Sequence, residues 1–438
     1  MTTERRLERD LPQILGDLAM GPYPDYIDDV LATTAQRRQR PAWTFPERWL
    51  PMDIVTTRVP TSAFPLRQLG LLALLALLVA AALAVFVGAQ TRLPAPFGPA
   101  ANGLIAFAAD GDIFTLDPVT GATRAVVAGP EFDDGPVFSR DGTRLVFQRK
   151  AGAGAPLGTL IVARADGSAI GQVTPEPLSD LGFYGFSPDG RSIVALTSVN
   201  AGARILIAAV DGLSPPRFID PEMAVEGGPK YRPDGSEIML VGREHNQPFN
   251  GIYAIDATSG AVRTIVAPTL KAETYGATWS PDGSRIAYGI WDPFADHTSS
   301  RTHVISADGT GDVRVDNHPD TIADGTGGDG GRLDFSNDGT RLLITRVFLR
   351  DGVEETRFAV VPVDGSGLGI EVTCPPAGVE GSCSNLWQWS PDDTALVGLL
   401  IDSGAQPLRR LLADPLTGAT RIAPGLATLS ADWQRLAP

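Results

Sequence analysis

The stretch WSPDGSRIAYG at residues 279–289 decides the fold, because its turn and the strand that follows recur along the chain. Copies of the five-residue motif stand at 138–142, 186–190, 231–235, 279–283, 335–339 and 389–393, with a degenerate copy, LSADW, at 429–433. Pro presets φ at the second position of a turn, Asp bonds the local backbone, and Gly accepts a positive φ. The motif therefore predicts a β-hairpin in which the Asp is structural rather than catalytic.

A second series of turns alternates with the first and completes a four-stranded repeat. Its Asp residues are Asp117, Asp166, Asp211, Asp256, Asp308, Asp364 and Asp414. Each follows one apolar run and precedes another, so that every repeat contains two hairpins. Four antiparallel strands recurring about every 48 residues are the signature of a β-propeller blade. We predict an all-β, seven-bladed β-propeller over residues 103–438, with six or eight blades as alternatives.

The two series also predict how the ring closes. The first Asp turn, at Asp117, has no copy of the motif before it, and the LSADW copy has no complete blade after it. A C-terminal strand would therefore complete the blade that begins near Leu104. Closure of this kind removes the exposed strand edges of an open ring.

The aromatic-Ser-Pro-Asp-Gly motif and its strand resemble the WD40-like (PD40-type) repeats of the TolB propeller family. The resemblance covers essentially all of residues 103–438. It implies a propeller fold and is nearly silent on function. TolB itself has an extra α/β domain and is soluble, whereas this chain carries an apolar segment before the repeats.

That apolar segment predicts a membrane anchor. Residues 69–89 contain only Leu, Ala, Val, Phe and Gly, and a helix of this length spans a hydrocarbon core of about 30 Å. We predict a single transmembrane helix at 67–90. Arg residues are more numerous just before it than just after it, so the N-terminus is expected to be cytoplasmic and the propeller extracytoplasmic. Residues 91–102 form a Pro-rich linker between them.

The two cysteines, Cys374 and Cys383, lie in a Pro- and Gly-rich stretch on the extracytoplasmic side of this topology. An oxidising compartment favours pairing, so we predict a disulfide, with two free thiols as the alternative. In the chain-entropy model a loop of this size adds about 2.7 kcal/mol of stability.

Residues 1–66 form a cytoplasmic segment in this topology. Apolar residues recur at helical spacing over 4–20, and residues 25–38 begin with Asp25 as a helix N-cap, so we predict two short amphipathic helices. The segment resembles in position and size the N-terminal tails of bacterial single-pass regulators such as anti-sigma factors, but it has no Cys or His. It binds a cytoplasmic partner or lies as an anchor at the membrane interface.

Charge and motifs argue against several kinds of chemistry. The net charge of −15 disfavours a nucleic-acid partner, and the chain has neither a G-x-S-x-G elbow nor a phosphate-binding loop. The four His residues have no known ligand spacing: His245, His297, His303 and His318. We expect His297, His303 and His318 on solvated loops, with an inter-strand metal site formed by these three as the alternative. Three carboxylates could supply oxygens to Ca²⁺, although a flexible connection between blades explains them as well: Asp324, Asp329 and Asp334. We predict no catalytic residue, no cofactor and no metal site.

A fold without a catalytic constellation favours recognition. We therefore predict a membrane-anchored binding, scaffold or sensory module whose propeller holds a protein, peptide or glycan ligand. The alternative is a propeller enzyme, a hydrolase or lyase, whose site is assembled from scattered residues in the central funnel.

Overall fold

The computed structural model describes residues 98–199, 202–270, 272–292, 294, 300–324, 333–383, 387–401, 409–426 and 431–436. The predicted cytoplasmic segment 1–66, the predicted membrane span 67–90 and most of the linker 91–102 lie outside these residues. Within the described part of the chain, no helix is long and apolar enough to cross a membrane.

Every regular element in this part of the chain is a β-strand. The strands are β1 Ala101–Ala109, β2 Asp112–Leu116, β3 Thr123–Val127, β4 Phe132–Phe138, β5 Arg144–Lys150, β6 Leu157–Arg164, β7 Gly171–Gln172, β8 Leu178–Phe186, β9 Ser192–Val199, β10 Gly202–Ala209, β11 Arg217–Ile219, β12 Met223–Tyr231, β13 Glu237–Glu244, β14 Gly251–Asp256, β15 Val262–Val266, β16 Glu273–Trp279, β17 Arg285–Trp291, β18 Arg301–Ser306, β19 Val313–Arg314, β20 Thr321–Asp324, β21 Asp334–Phe335, β22 Arg341–Arg350, β23 Val353–Pro362, β24 Ile370–Val372, β25 Ser382–Cys383, β26 Gln388–Trp389, β27 Leu396–Ile401, β28 Arg409–Ala413, β29 Thr420–Leu426 and β30 Ala431–Leu436.

These strands form an all-β propeller of antiparallel sheets, as the repeats predict. The prediction of seven separate blades is wrong, because five sheets of four or five strands stand alone and strands β4 to β11 form one eight-stranded sheet. The join is a short antiparallel pairing between the starts of β6 and β8, where Leu157 lies opposite Ser179 and Gly158 opposite Leu178. The alternation of the two turn series predicts which strands pair within a repeat, but it does not predict pairing between strands of neighbouring repeats.

The recurring motif builds the hairpin turn that its residues predict. In the copy at 279–283, the Gly283 amide donates to the Ser280 carbonyl at 2.8 Å, and Gly283 has a φ of 70°. The Asp282 carboxylate accepts hydrogen bonds from the Ser280 hydroxyl at 2.6 Å and the Ser284 amide at 3.0 Å. The motif Asp is therefore a structural acceptor.

The carboxylates of these turns link stability to pH. Burial alone would raise the pKa of Asp282, but hydrogen bonds from Ser280 and Ser284 outweigh burial and hold the pKa below its ordinary value. A lowered folded-state pKa contributes stability that is present above the unfolded value and lost as the pH falls through the folded one. We expect the free energy of unfolding to be flat from pH 7 to about 5 and to fall below about pH 4.

Urea unfolding of the full chain between pH 3 and 7 measures this dependence. Asp282→Asn should lower the free energy of unfolding by about 1 kcal/mol at pH 7 and reduce its loss on acidification. Asp351→Asn, in the exposed turn between β22 and β23, serves as the control. It should change neither the free energy of unfolding at pH 7 nor its loss on acidification. An Asp282→Asn curve that runs parallel to the wild-type curve down to pH 3 would contradict the assignment.

Ring closure joins the two ends of the described chain, as predicted, but with a different register. Residues 431–433 of the degenerate LSADW copy belong to strand β30 rather than to a hairpin turn, so its assignment as a motif copy is wrong. Trp433 lies opposite Ile105, as Trp279 lies opposite Ile286, so Trp433 occupies the aromatic position of the motif. Gln434 Oε1 accepts from the Leu104 amide at 3.0 Å and replaces the motif Ser.

The core lies between successive sheets. One cluster joins Ile252 of β14 to Trp279 and Ile286 of the next sheet. A second joins Leu396 and Trp389 to Phe358 of the preceding sheet. The aromatic residue that opens each motif thus packs between neighbouring sheets, where burial of a large ring contributes several kcal/mol.

Candidate functional site

The motif turns meet at one end of the propeller and form a concave surface there. Turns or strand ends after β4, β8, β12, β16, β21 and β30 line two adjoining cavities of about 220 and 240 Å³. The cavities share Arg140, Lys230, Tyr231 and Pro233. We call the two cavities together the channel mouth, because residues from six inner strands can meet only around the axis of the ring.

Cationic side chains are concentrated in the channel mouth. Arg140 occupies the third motif position after β4, and Arg435 occupies the equivalent position after Trp433. The third motif position is Pro in four other copies and Asn337 in the fifth. Lys230, at the end of β12, donates from Nζ to the Ala277 carbonyl at 2.9 Å. Asp334 is the one acidic side chain among the described residues that line the cavities.

Arg435 is held in place by neighbours on both sides. Its guanidinium donates from Nη1 to Asn337 Oδ1 and from Nη2 to the Gly98 carbonyl at 2.5 Å. Burial lowers the pKa of Arg435, and the carboxylates of Asp393 and Asp432 oppose that shift. The side chain is therefore a fixed cation at the channel mouth.

Asp393 positions the partner of Arg435. It replaces the motif Gly in the copy at 389–393 and has a φ of 60°. Its carboxylate accepts from the backbone amides of Asn337 at 2.7 Å and Asp338 at 2.8 Å, and from Asn337 Nδ2 at 2.8 Å. Burial raises the pKa of Asp393 despite these hydrogen bonds.

Arg140 is different, because no described residue forms a hydrogen bond or an ion pair with it. Its Nε atom is buried without a hydrogen-bond partner. Burial, and to a smaller extent repulsion by Arg435, lowers the pKa of Arg140 to about 10. The guanidinium therefore remains charged at neutral pH.

A larger cavity lies beside the two cysteines, away from the channel mouth. It measures about 520 Å³ and has Arg357, Glu371, Cys374 and Cys383 among its lining residues. Cys374 and Cys383 form a disulfide with Cα atoms 6.1 Å apart. Arg357 Nη1 donates to Glu371 Oε2 at 2.9 Å, so the charges of this cavity are paired within the protein.

The described His residues lie apart from one another. Nδ1 of His245 lies 2.9 Å from the Glu222 carbonyl, and Nδ1 of His303 lies 3.0 Å from Asp312 Oδ2. His318 packs edge-on against Phe348. His297 lies outside the described residues. The structure thus brings no two of these three rings to a common site.

The proposed calcium ligands are also separated. Asp324 ends β20, Asp334 begins β21 and lines the channel mouth, and Asp329 lies outside the described residues. Among the described residues, no three His, Cys, Asp or Glu side chains are grouped so that they could hold a metal ion.

The channel-mouth cations were missed by the sequence analysis, although a signal exists. FSRDG departs from FSPDG at one residue, and that residue is Arg140. Arg435 gave no signal, because its motif position becomes visible only from the pairing of Trp433 with Ile105.

Comparisons with known proteins give the fold. No family model and no curated protein matches the chain. An oligogalacturonate lyase in complex with manganese is 15% identical and has a TM-score of 0.53 over 74% of this chain and 85% of the lyase. A prolyl endopeptidase is 12% identical and has a TM-score of 0.54 over 75% of this chain and 50% of the peptidase. In fold, the chain is a β-propeller similar to those of these two enzymes.

Solved structures of TolB are also similar to this chain. TolB from Acinetobacter baumannii is 15% identical and has a TM-score of 0.42. The alignment covers 64% of this chain and 65% of TolB, so the chain spans less than two thirds of that protein. Identities this low show the shared fold alone, and the function has to be argued from the site.

Proposed function

We propose that the chain is a binding module whose channel mouth holds a segment of a protein, peptide or glycan. The observation that carries the proposal is the convergence of six strand ends on two adjoining cavities. A concave surface with a few converging polar groups is the usual form of a ligand site. Arg140, Arg435 and Lys230 give this surface a positive character within a chain of net charge −15.

The location of the binding module is a further part of the proposal. We propose that residues 67–90 anchor the chain in the membrane with the N-terminus in the cytoplasm and the propeller outside. The length of the apolar segment and the Arg bias of its flanks support this topology. Residues 1–66 would then be available to a cytoplasmic partner, which would make the module sensory.

A variant that fills the channel mouth tests the proposed function. Pro233 lines both cavities, and the equivalent position carries Arg in two repeats, so Pro233→Trp adds bulk that the turn accepts. The full-length chain in detergent is applied to peptide and glycan arrays. We expect at least one array ligand to be bound by the wild type and to lose about tenfold or more in affinity with Pro233→Trp.

The matched control is Val119→Trp. Val119 is 87% exposed in a turn of the second series, outside the channel mouth. The control should bind every ligand as the wild type does. Ligands bound equally by Pro233→Trp and the wild type would place the site elsewhere, and a wild-type chain that binds neither array would contradict the proposal outright.

A further inference from the structure

An aromatic surface lies at the end of the propeller opposite the channel mouth, and it consists of Phe249, Leu270, Trp291 and Phe294. Leu270 lies just before β16, and Trp291 ends β17, the antiparallel partner of β16. Strand β16 runs from this end to the motif turn at the channel mouth. Leu270 and Phe294 are 73% and 72% exposed, and Trp291 is 39% exposed. Large apolar side chains that are exposed next to one another are typical of interaction sites.

Contacts join these residues into one continuous surface. The rings of Phe249 and Phe294 meet edge to face, with their centroids 6.0 Å apart. Asn250 donates from Nδ2 to Glu273 Oε1 at 2.8 Å. Glu273 in turn lies opposite Trp291 in the ladder between β16 and β17. The surface is therefore shared by two neighbouring sheets, β12 to β15 and β16 to β19.

Carboxylates on two inner strands border the aromatic surface. Glu226 lies on β12 and Glu273 on β16. Burial raises the pKa of Glu273, and repulsion by the Glu226 carboxylate raises it further, so the two charges lie near each other. Arg243 lowers the same pKa to a smaller extent than Glu226 raises it. The border of the aromatic surface is therefore negatively charged.

We propose that the aromatic surface binds a segment of a partner protein that combines apolar and basic side chains. The apolar side chains pack on the rings of Trp291 and Phe294. A Lys or Arg side chain pairs with Glu226 and Glu273 and relieves their repulsion, which a neutral glycan would not do. The aromatic rings add cation–π attraction to the same group. This surface is separate from the channel mouth, so the inference goes beyond the ligand proposed there.

Short capped peptides test the charge of the partner. The full-length chain in detergent is titrated with N-acetyl-Phe-Lys-Phe-Lys-amide and N-acetyl-Phe-Glu-Phe-Glu-amide, and binding is followed by saturation-transfer NMR. We expect the Lys peptide to bind about tenfold or more tightly than the Glu peptide, since facing like charges weaken binding. Glu226→Gln should lower this preference to about threefold or less. Glu176→Gln, at an exposed Glu outside the surface, makes the same change of charge and should keep the full preference.

A second variant tests the apolar part of the surface. Phe294→Ser removes an exposed ring, so the fold should be retained while the affinity for the Lys peptide falls about fivefold or more. Val353→Ser, at an exposed Val that begins β23, is the control and should bind as the wild type does. Pro233→Trp, which fills the channel mouth, should also leave binding of the Lys peptide unchanged.

Several results would overturn the inference. Equal binding of the two peptides, no binding of either, or an unchanged preference in Glu226→Gln would each do so. An affinity for the Lys peptide that Phe294→Ser does not change would exclude the aromatic rings from the site. Loss of the Lys peptide in Pro233→Trp would assign the peptide to the channel mouth. Tighter binding of maltotriose than of the Lys peptide, lost with Phe294→Ser, would assign the surface to a neutral glycan instead.

Discussion

Replacing Trp433 with Ala is expected to lower the free energy of unfolding by about 3–5 kcal/mol. Trp433 is 7% exposed and packs in one cluster with Ile105, Phe107 and Leu412. Its indole Nε1 donates to the Gly103 carbonyl at 3.1 Å. The substitution leaves a cavity where β30 closes the ring against β1 and where the neighbouring sheet packs. Urea unfolding of the full chain, followed by far-UV circular dichroism, measures the loss.

Two variants separate closure of the ring from the general loss of a Trp residue. Trp291→Ala removes a ring that is 39% exposed and should cost less than about 1 kcal/mol. Trp433→Phe retains an aromatic ring in the cluster and should restore most of the stability. If the free energy of unfolding of Trp433→Ala lies within about 0.5 kcal/mol of the wild-type value, the pairing of β30 with β1 does not hold the ring closed.

Asp316→Ala is expected to destabilise the fold by a similar amount, about 3–5 kcal/mol. Asp316 and Arg346 form a two-point ion pair with distances of 2.7 and 2.9 Å, and their side chains are 0% and 1% exposed. The same guanidinium donates to the Leu368 carbonyl. Removal of the Asp316 carboxylate would leave the buried Arg346 cation with the Leu368 carbonyl and, at 3.9 Å, the partly exposed Glu371 carboxylate, neither of which replaces the two-point pair.

A double variant distinguishes an uncompensated charge from lost packing. Asp316→Leu combined with Arg346→Met replaces both charges by apolar groups and should be more stable than Asp316→Ala, because no charge stays buried. Chemical denaturation of the three chains provides the comparison. A double variant as unstable as Asp316→Ala would show that shape, not charge, sets the cost at this site.

Local turn chemistry made most of the fold predictable. Pro, Asp and Gly at fixed spacing specify a hairpin without reference to the rest of the chain, and Asp282 and Gly283 behave as their residue types predict. Pairing between repeats is not local. Leu157 and Gly158 pair with β8, and no motif in the sequence marks these residues as a site of pairing between repeats. The eight-stranded sheet was therefore not predicted.

For the candidate site, too, residues with local signals were predictable and residues brought together by distant repeats were not. Cys374 and Cys383 were singled out because residue type alone suggests their chemistry. Arg140 and Asn337 differ from the Pro of the other motif copies, but residue type alone does not indicate a role for them, since an exposed turn accepts all three residues. Their importance comes from the ring, which brings turns from distant repeats to one axis. The LSADW residues at 429–433 were wrongly aligned with the motif for a related reason. The register of strand β30 is set by its pairing with β1, which places Trp433 opposite Ile105.

The pairing of β1 with β30 determines the order of events when the propeller forms. Trp433 meets Gly103 across 330 positions of sequence, so β1 is made long before its inner neighbour. Sheets in the middle of the chain can assemble from local hairpins as they are synthesised, whereas the first sheet has to wait with an unpaired edge. During that interval the edge of β1 is open to pairing with other chains. We therefore expect a chaperone that shields the edge of β1 during synthesis to improve the yield of folded protein.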